Sequence, residues 1–142
     1  MDNRKRTFPA NCIRLCFDGF NTELCEGTIC GVTLKEDIPF CGMKELIVKI
    51  DNAFNEIGQP QAYQVLRSFG KQDEYQAYKS QPEHFHDSEE IAARQGMSST
   101  FDLIMTSRHR AEWQGILKNI EGENIGSFNS SLECMNLLGR II

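Results

Sequence analysis

The strongest constraint on this fold is a self-similarity at a constant distance along the chain. Residues 13–54 and 101–142 follow one layout at an offset of 88 residues, and no gap is needed to align them. Because repeated sequence predicts repeated structure, each copy is expected to form strand, turn, strand, tight turn, strand and helix. Identical residues stand in register at Leu15 and Leu103, Gly27 and Gly115, Phe40 and Phe128, and Glu45 and Glu133.

The first copy begins with the alternation of a half-buried strand. Apolar residues occupy positions 13, 15 and 17, and Asp18-Gly19 is predicted to close this strand as a turn. Further strands are predicted over residues 24–32 and 38–40. Apolar residues then recur at helical spacing from Met43 to Ile57, and Gly58 offers a left-handed stop, so a helix is expected there.

The second copy is expected to repeat these elements. Strands are predicted over residues 101–105, 112–121 and 125–128, with a tight turn before the last of them. Ser130 and Glu133 have the spacing of a capping box, which predicts the start of a helix that reaches the last residue. Gly27 and Gly115 lie inside second strands, where glycine indicates a bulge or the close approach of another backbone.

The two copies and the residues between them are predicted to form one domain, 1–142. Repeat 1 (13–54) is followed by a connecting helix and polar linker (59–100) and then by repeat 2 (101–142). The linker proper, 71–100, is expected to be exposed, with at most a short helix near Ser88 to Arg94. The predicted class is α+β: two pseudo-repeated βββα units whose helices cover one face of shared or paired antiparallel sheets.

Composition restricts the class of protein. With 142 residues, 40% hydrophobic and 25% charged, the chain matches an ordinary globular domain that needs no disulfide or metal to fold. No apolar run reaches membrane-span length and no signal sequence is recognised, which predicts a cytoplasmic protein without a membrane partner. A net charge of −5 argues against a protein that binds nucleic acid over its whole surface.

The six cysteines are predicted to be reduced, because a secreted disulfide scaffold would need a signal sequence and a core too small to be stable alone, and neither is recognised. The absence of paired Cys-x-x-Cys spacing argues against a zinc site. Cys25 and Cys134 are expected in the core. The weak metal candidates are His84, His86 and Asp87, since imidazole and carboxylate together suit zinc, nickel or iron. These residues lie in the polar linker, so a solvated acidic loop is the favoured interpretation, and no metal or cofactor is predicted.

One local basic cluster adjoins the single tryptophan. Arg108, His109 and Arg110 precede Trp113 and Gln114, and this group is the predicted binding site for phosphate or an acidic partner. An ordinary hairpin loop with Trp113 in the core is the alternative, and it is the interpretation that the sequence favours. No phosphate loop, nucleophile elbow or zinc-protease motif is present, so no catalytic residue is predicted and a non-enzymatic protein is favoured.

Several segments carry a resemblance to a known family: Ile13 to Phe20, Thr22 to Thr28, Glu112 to Gly115 and Phe128 to Glu133. They resemble small uncharacterised proteins of gut Firmicutes, often encoded on integrative and conjugative elements or prophages. That family often reads tryptophan-glutamine-glycine and then phenylalanine-arginine-serine, whereas this chain has Asn129 in place of the arginine. The resemblance implies a mobile-element setting and supplies no activity.

These observations favour a small acidic protein-binding module with an unidentified protein partner. The mobile-element setting suggests an inhibitor or modulator of a host protein, such as a defence nuclease. A weak nucleic-acid-binding accessory protein that uses Arg108 and Arg110 is one alternative. A small metal-dependent enzyme is the other. The oligomeric state is left open.

Overall fold

The fold was described from a computed structural model, which covers residues 8–20, 25–58, 82–109 and 112–141. The α+β class is confirmed: these residues form one six-stranded antiparallel sheet and three helices. Along the chain the elements are β1 (Cys12–Phe20), β2 (Cys25–Cys30), β3 (Ile38–Cys41), α1 (Met43–Ile57), α2 (Ser88–Ala92), β4 (Ser99–His109), β5 (Glu112–Lys118), β6 (Asn124–Phe128) and α3 (Ser131–Ile141). The spatial strand order is β3-β2-β1-β4-β5-β6.

The centre of the sheet is the antiparallel pairing of β1 with β4. Arg14 lies opposite Asp102, with Ile13 opposite Leu103 and Leu15 opposite Phe101. Arg14 and Asp102 are 88 residues apart, so these two counterparts in the two copies lie directly opposite each other at the centre of the sheet.

The flanking strands pair in matching registers on both sides of this centre. β1 pairs with β2 through Leu15 and Ile29, and β4 pairs with β5 through Leu103 and Leu117. One step farther out, Gly27 lies opposite Phe40 and Gly115 lies opposite Phe128. Every one of these pairs differs from its counterpart by the same offset of 88 residues.

The predicted turn at Asp18-Gly19 is wrong. β1 continues to Phe20, and the register with β2 shifts between Phe17 and Gly19, so Asp18 is the extra residue of a β-bulge. Its carboxylate accepts a hydrogen bond from the amide of Met97 at 3.1 Å, which stabilises the bulged residue without a chain reversal. β4 has the same irregularity between Met105 and Ser107, and it also extends beyond its predicted end.

Close backbone approach explains the two strand glycines. A Cβ atom on Gly27 would lie 1.9 Å from the carbonyl oxygen of Cys16, and one on Gly115 would lie 2.2 Å from that of Ile104. Both distances are far below van der Waals contact, so a side chain would push the bulged strand away. The bulges predicted at these glycines therefore lie on the neighbouring strands, and no ligand is needed to account for the glycines.

Two helices cover one face of the sheet and enclose the main core. α1 has the predicted bounds, and Gly58 ends it in the left-handed region with φ of 84°. At the start of α3, Ser130 Oγ accepts the amide of Glu133 at 3.0 Å, and Glu133 Oε1 accepts that of Asn129 at 2.8 Å, which confirms the predicted cap. Cys25 and Cys134 are buried in this core, as predicted.

Residues 82–98 pack on the opposite face of the sheet, although the sequence predicts an exposed linker there. α2 lies within the predicted short helix and buries Ile91 in a second, smaller core with Phe8, Cys12 and Val32. The amide of Phe85 donates to the carbonyl of Val32 at 2.7 Å. The predicted connecting helix over 59–70, and residues 71–81, lie outside the described residues. Within the ranges given above, no helix is long and apolar enough to cross a membrane.

Candidate functional site

Arg108 and Trp113 lie inside the fold. They pair across β4 and β5, and Trp113 is 1% exposed in the main core, the alternative that the sequence offered. Arg108 is 4% exposed, and its Nη1 donates to Asp51 Oδ1 at 2.8 Å and to the Asp51 carbonyl at 3.2 Å. Arg108 therefore joins the end of β4 to α1, and its guanidinium is engaged within the protein.

The rest of the predicted basic cluster is spread along the hairpin. Gln114 is exposed on β5, and its carbonyl accepts the hydroxyl of Thr106 at 2.8 Å. The backbone of His109 pairs with Glu112 at the end of β4. The side chain of His109 and the whole of Arg110 lie outside the described residues. The structure thus separates Arg108 and Trp113, which are buried, from the exposed Gln114.

The histidine cluster lies on the surface before α2. His86 contacts Glu90 at 2.9 Å through Nδ1 and the carbonyl of Lys35 at 3.3 Å through Nε2, while His84 and Asp87 are exposed. Both ring nitrogens of His86 are thus occupied by contacts within the protein. In the part of the chain that the structure describes, no three His, Cys, Asp or Glu side chains converge as metal ligands.

A buried ion pair at the centre of the sheet was not predicted. Arg14 Nε donates to Asp102 Oδ1 at 2.8 Å and Nη2 to Oδ2 at 3.0 Å, a bidentate geometry. Arg14 is 2% exposed and Asp102 is fully buried. Burial opposes the charge of Arg14, but the hydrogen bond and charge of Asp102 outweigh it and raise the pKa of the guanidinium. The guanidinium of Arg14 therefore keeps its charge inside the protein.

Arg14 also holds the segment that covers it. Its Nη1 donates to the carbonyls of Ile91, Ala92 and Arg94 at 3.2, 3.0 and 2.9 Å, and the guanidinium lies 5.3 Å from the ring of Phe8. These carbonyls are at the end of α2, where backbone acceptors lack partners within the helix. The ion pair therefore anchors residues 91–94 to the middle of the sheet.

Beside this anchor is a cleft of about 190 Å³ that is lined by two buried thiols. Cys16 on β1 and Cys30 on β2 both line it. Arg94 is on its wall and forms an ion pair with Asp37. The lining consists of Cys16, Asp18, Thr28, Cys30, Asp37, Arg94 and Gln95.

The surroundings of the two thiols shift their pKa values in opposite directions. The hydrogen bond from Cys30 lowers the pKa of Cys16, and the charge of Arg14 adds to this effect against the cost of burial. The same hydrogen bond, together with burial, raises the pKa of Cys30 well above that of an ordinary thiol. Cys16 is also the more exposed of the two, at 6% against 1%. Of the two thiols, Cys16 is therefore the one that loses its proton more readily.

The two edges of the sheet differ in how they are protected. On β3, Pro39 lacks a backbone donor, and its carbonyl accepts Lys49 Nζ at 3.2 Å. On β6, Ser127 takes the position equivalent to Pro39. Ser127 lies opposite Ile116 on β5, as Pro39 lies opposite Thr28 on β2. β6 contains neither proline nor a charged residue. Among the strands of the described ranges, none pairs with the outer side of β6.

Sequence reasoning missed these features for different reasons. The Arg14–Asp102 pair could have been found, because opposite charges stand at matching positions of the two copies. The cleft depends on Asp37 and Arg94, which come from segments without periodicity, so no local pattern predicts it. The comparison of Pro39 with Ser127 was available from the offset of the two copies.

Comparisons with known proteins give no further guidance to the site. No family model, no curated protein and no solved structure matches the chain.

Proposed function

We propose that this chain is a non-enzymatic protein-binding module, built of two pseudo-repeated βββα units, that binds an extended segment of a partner protein along the outer edge of β6. The observation that carries the proposal is the contrast between the two edges of the sheet. One edge has devices that prevent strand addition, and the other lacks them. Adding a strand to an open edge is a recurring mode of peptide recognition.

The repeated construction is supported by the strand registers. The pairings on the two sides of the β1–β4 centre differ by the same 88 residues, and so do the bulges that follow Phe17 and Met105. The first turns of α1 and α3 also match, because Glu45 accepts the amide of Cys41 as Glu133 accepts that of Asn129. This equivalence makes the edge strands β3 and β6 directly comparable.

The open edge is supported by the chemistry of Pro39 and Ser127. In an antiparallel pair, alternate residues direct both backbone polar groups away from the partner strand. The contact of the Pro39 carbonyl with Lys49 shows that this residue points outward. Ser127 takes the corresponding place, so its N–H and C=O are oriented to pair with an added strand. The position matching Lys49 is Leu137, which packs against Gly126 and supplies no charge.

The surroundings of β6 define the chemistry of the partner segment. Leu132, in the first turn of α3 just after β6, is 68% exposed and provides an apolar contact. Glu121 and Glu123 are also near the strand, in the turn that precedes it, and the chain as a whole carries a charge of −5. The complementary partner is an extended segment with an apolar residue and flanking lysine or arginine.

The resemblance to mobile-element proteins extends this proposal to the kind of partner. A host protein, such as a defence nuclease, fits both that setting and the expected basic segment, since nucleases carry positive charge where they contact phosphates. The chain would then act as an inhibitor or modulator by covering such a segment.

The test uses a substitution that the fold already tolerates at the equivalent position. Ser127→Pro removes the outward donor of β6, as Pro39 does on β3, while Ser127→Thr retains it. Wild type and both variants are used to capture partners from the native host, and the captured protein is then purified and titrated. We expect Ser127→Pro to weaken binding at least tenfold and Ser127→Thr to leave it within about twofold, a difference of roughly 1.4 kcal/mol or more.

Light scattering of the purified chain supplies the second measurement. A partner that binds Ser127→Pro as tightly as wild type would place recognition elsewhere and overturn the proposal. A wild-type dimer that becomes monomeric in Ser127→Pro would show that β6 pairs with a second copy, which also contradicts a foreign partner at this edge.

A further inference from the structure

We propose that Cys16 and Cys30 form a peroxide-reactive dithiol site, in which a small hydroperoxide enters the neighbouring cleft and converts the pair into a disulfide. The proposal does not depend on the proposed function, since the cleft and the β6 edge are separate parts of the molecule. The site would be a target of oxidation on a protein that is otherwise a binding module.

The first support is that the two thiols are neighbours in the sheet and line the same cleft. Cys16 and Cys30 are on neighbouring strands and project from the sheet face opposite the main core. Cys30 lies opposite Arg14 and Cys16 lies opposite Thr28, so the two thiols are diagonal neighbours. A thiol so placed can react with its partner once β1 and β2 move closer together at this point.

The second support is access from solvent. The cleft has a volume of about 190 Å³, well above the roughly 10–15 Å³ that one water molecule requires. Both cysteines line it, whereas Cys12, on the same face of β1 and in the same small core, does not. A small hydroperoxide can therefore reach Cys16 and Cys30, and Cys12 serves as an internal comparison.

The third support is the charge arrangement around the pair. Arg14 on β1 favours the thiolate of Cys16, while Asp18 on the same strand and Asp102 on β4 oppose it. Around Cys30, Asp37 favours the protonated thiol and Arg94 opposes it. A thiolate next to a protonated thiol is the combination that sequential oxidation requires, because the thiolate attacks and the thiol resolves.

The reaction balances with the hydroperoxide as the only oxidant. The Cys16 thiolate attacks the terminal oxygen, the O–O bond breaks, and the leaving alkoxide takes a proton from water to give an alcohol and Cys16 sulfenic acid. The sulfur of Cys30 then attacks the sulfur of the sulfenic acid, and its proton leaves with the hydroxide as water. The protein loses two electrons and the peroxide gains them.

The position of the thiols in the sheet predicts a bridge that is readily reduced. Diagonal neighbours on antiparallel strands have Cα atoms about 7–8 Å apart, slightly beyond the range of about 4.4–6.8 Å seen in disulfides. β1 and β2 must therefore approach each other. The bulge at Asp18 raises the local twist next to Cys16, and β2 is followed only by the short edge strand β3, so this adjustment is confined to one end of the sheet.

The test begins with the wild-type chain and hydrogen peroxide as the probe. Reduced protein is treated with peroxide, alkylated, digested without reductant and analysed by mass spectrometry. We expect a peptide pair linked through Cys16 and Cys30, lighter by two hydrogens, that disappears on treatment with dithiothreitol. The linkage should form at least tenfold faster in folded protein than in protein unfolded in urea. Equal rates, or a different main pair of cysteines, would overturn the proposal.

Three variants, each checked for folding by circular dichroism, assign the roles. Cys16→Ser should lower the rate of peroxide consumption at least tenfold. Cys30→Ser should stop the reaction at a Cys16 sulfenic acid, which dimedone traps. Cys12→Ser, the matched control, should form the bridge at the wild-type rate. Dimedone labelling at Cys41 in place of Cys16, or unchanged peroxide consumption by Cys16→Ser, would show that the cleft has no special reactivity.

Discussion

The two halves of the sheet pair their strands in matching registers but differ in the side chains that they present. β1, β2 and β3 pair in the same registers as β4, β5 and β6, including a bulge in the first strand of each set. On the face opposite the main core, however, the first half has Cys16 and Cys30 where the second half has Ile104 and Lys118. The first half holds a cleft lined by two thiols, and the second ends at β6, whose outer side pairs with no strand of the described residues.

Comparison of the two halves separates the positions that determine the fold from those that do not. The shared positions face the helices or lie where strands approach closely, as Gly27 and Gly115 do. The divergent positions face the other side, where residues 82–98 cover the first half around Cys16 and Cys30. Packing and backbone contact constrain the shared positions, whereas the divergent positions can carry side chains of different chemistry in the two halves.

The largest expected effect is a loss of stability on substitution of Asp102, which lies at the centre of the sheet where the two halves meet. Asp102→Ala leaves the guanidinium of Arg14 buried without its counter-charge, which costs about 3–5 kcal/mol. We expect this loss in the free energy of unfolding, measured by urea denaturation monitored through Trp113 fluorescence. Residues 82–98 should also become accessible to protease, because Arg14 holds them through three carbonyl contacts.

The matched control replaces both members of the pair. Arg14→Met with Asp102→Leu removes the charges together, so it should be less destabilising than Asp102→Ala in an otherwise unchanged chain. If Asp102→Ala unfolds at the same urea concentration as wild type, the ion pair does not join the two halves as argued above.

Much of the fold follows from local patterns in the sequence, but the sites do not. The bounds of α1 are predicted because apolar spacing and a left-handed glycine both act locally. The turn expected at Asp18 becomes a bulge because its carboxylate meets Met97 from a distant segment. From the sequence alone Arg108 is expected on the surface, whereas in the structure it is paired with Asp51. Contacts between distant segments create the sites, and one sequence contains little information about them.

An intermediate effect is expected at the strand glycines, and it tests whether both halves are equally constrained. Gly27→Ala and Gly115→Ala place a Cβ atom 1.9 Å and 2.2 Å from main-chain carbonyl oxygens. Each should cost about 3 kcal/mol, since neither neighbouring strand can move without disturbing its own pairing. Denaturant midpoints measure both losses on one scale.

Gly139 provides the control for these substitutions. It lies in α3 with no atom within 4 Å of an added Cβ, so Gly139→Ala should stabilise the protein by up to about 1 kcal/mol. A loss confined to one of the two strand glycines would show that only one half requires the close approach.

The smallest expected effect concerns the first turns of the two long helices. α3 begins with Ser130, whose hydroxyl accepts the amide of Glu133, whereas α1 begins with Gly42, which has no side chain and a φ of 95°. Ser130→Ala should cost about 1 kcal/mol, while Ser130→Gly should cost only a few tenths. Thermal unfolding of the two variants measures this difference. If neither variant were less stable than wild type, the Ser130 hydroxyl would contribute nothing, and α3, like α1, would depend on the glutamate of its first turn.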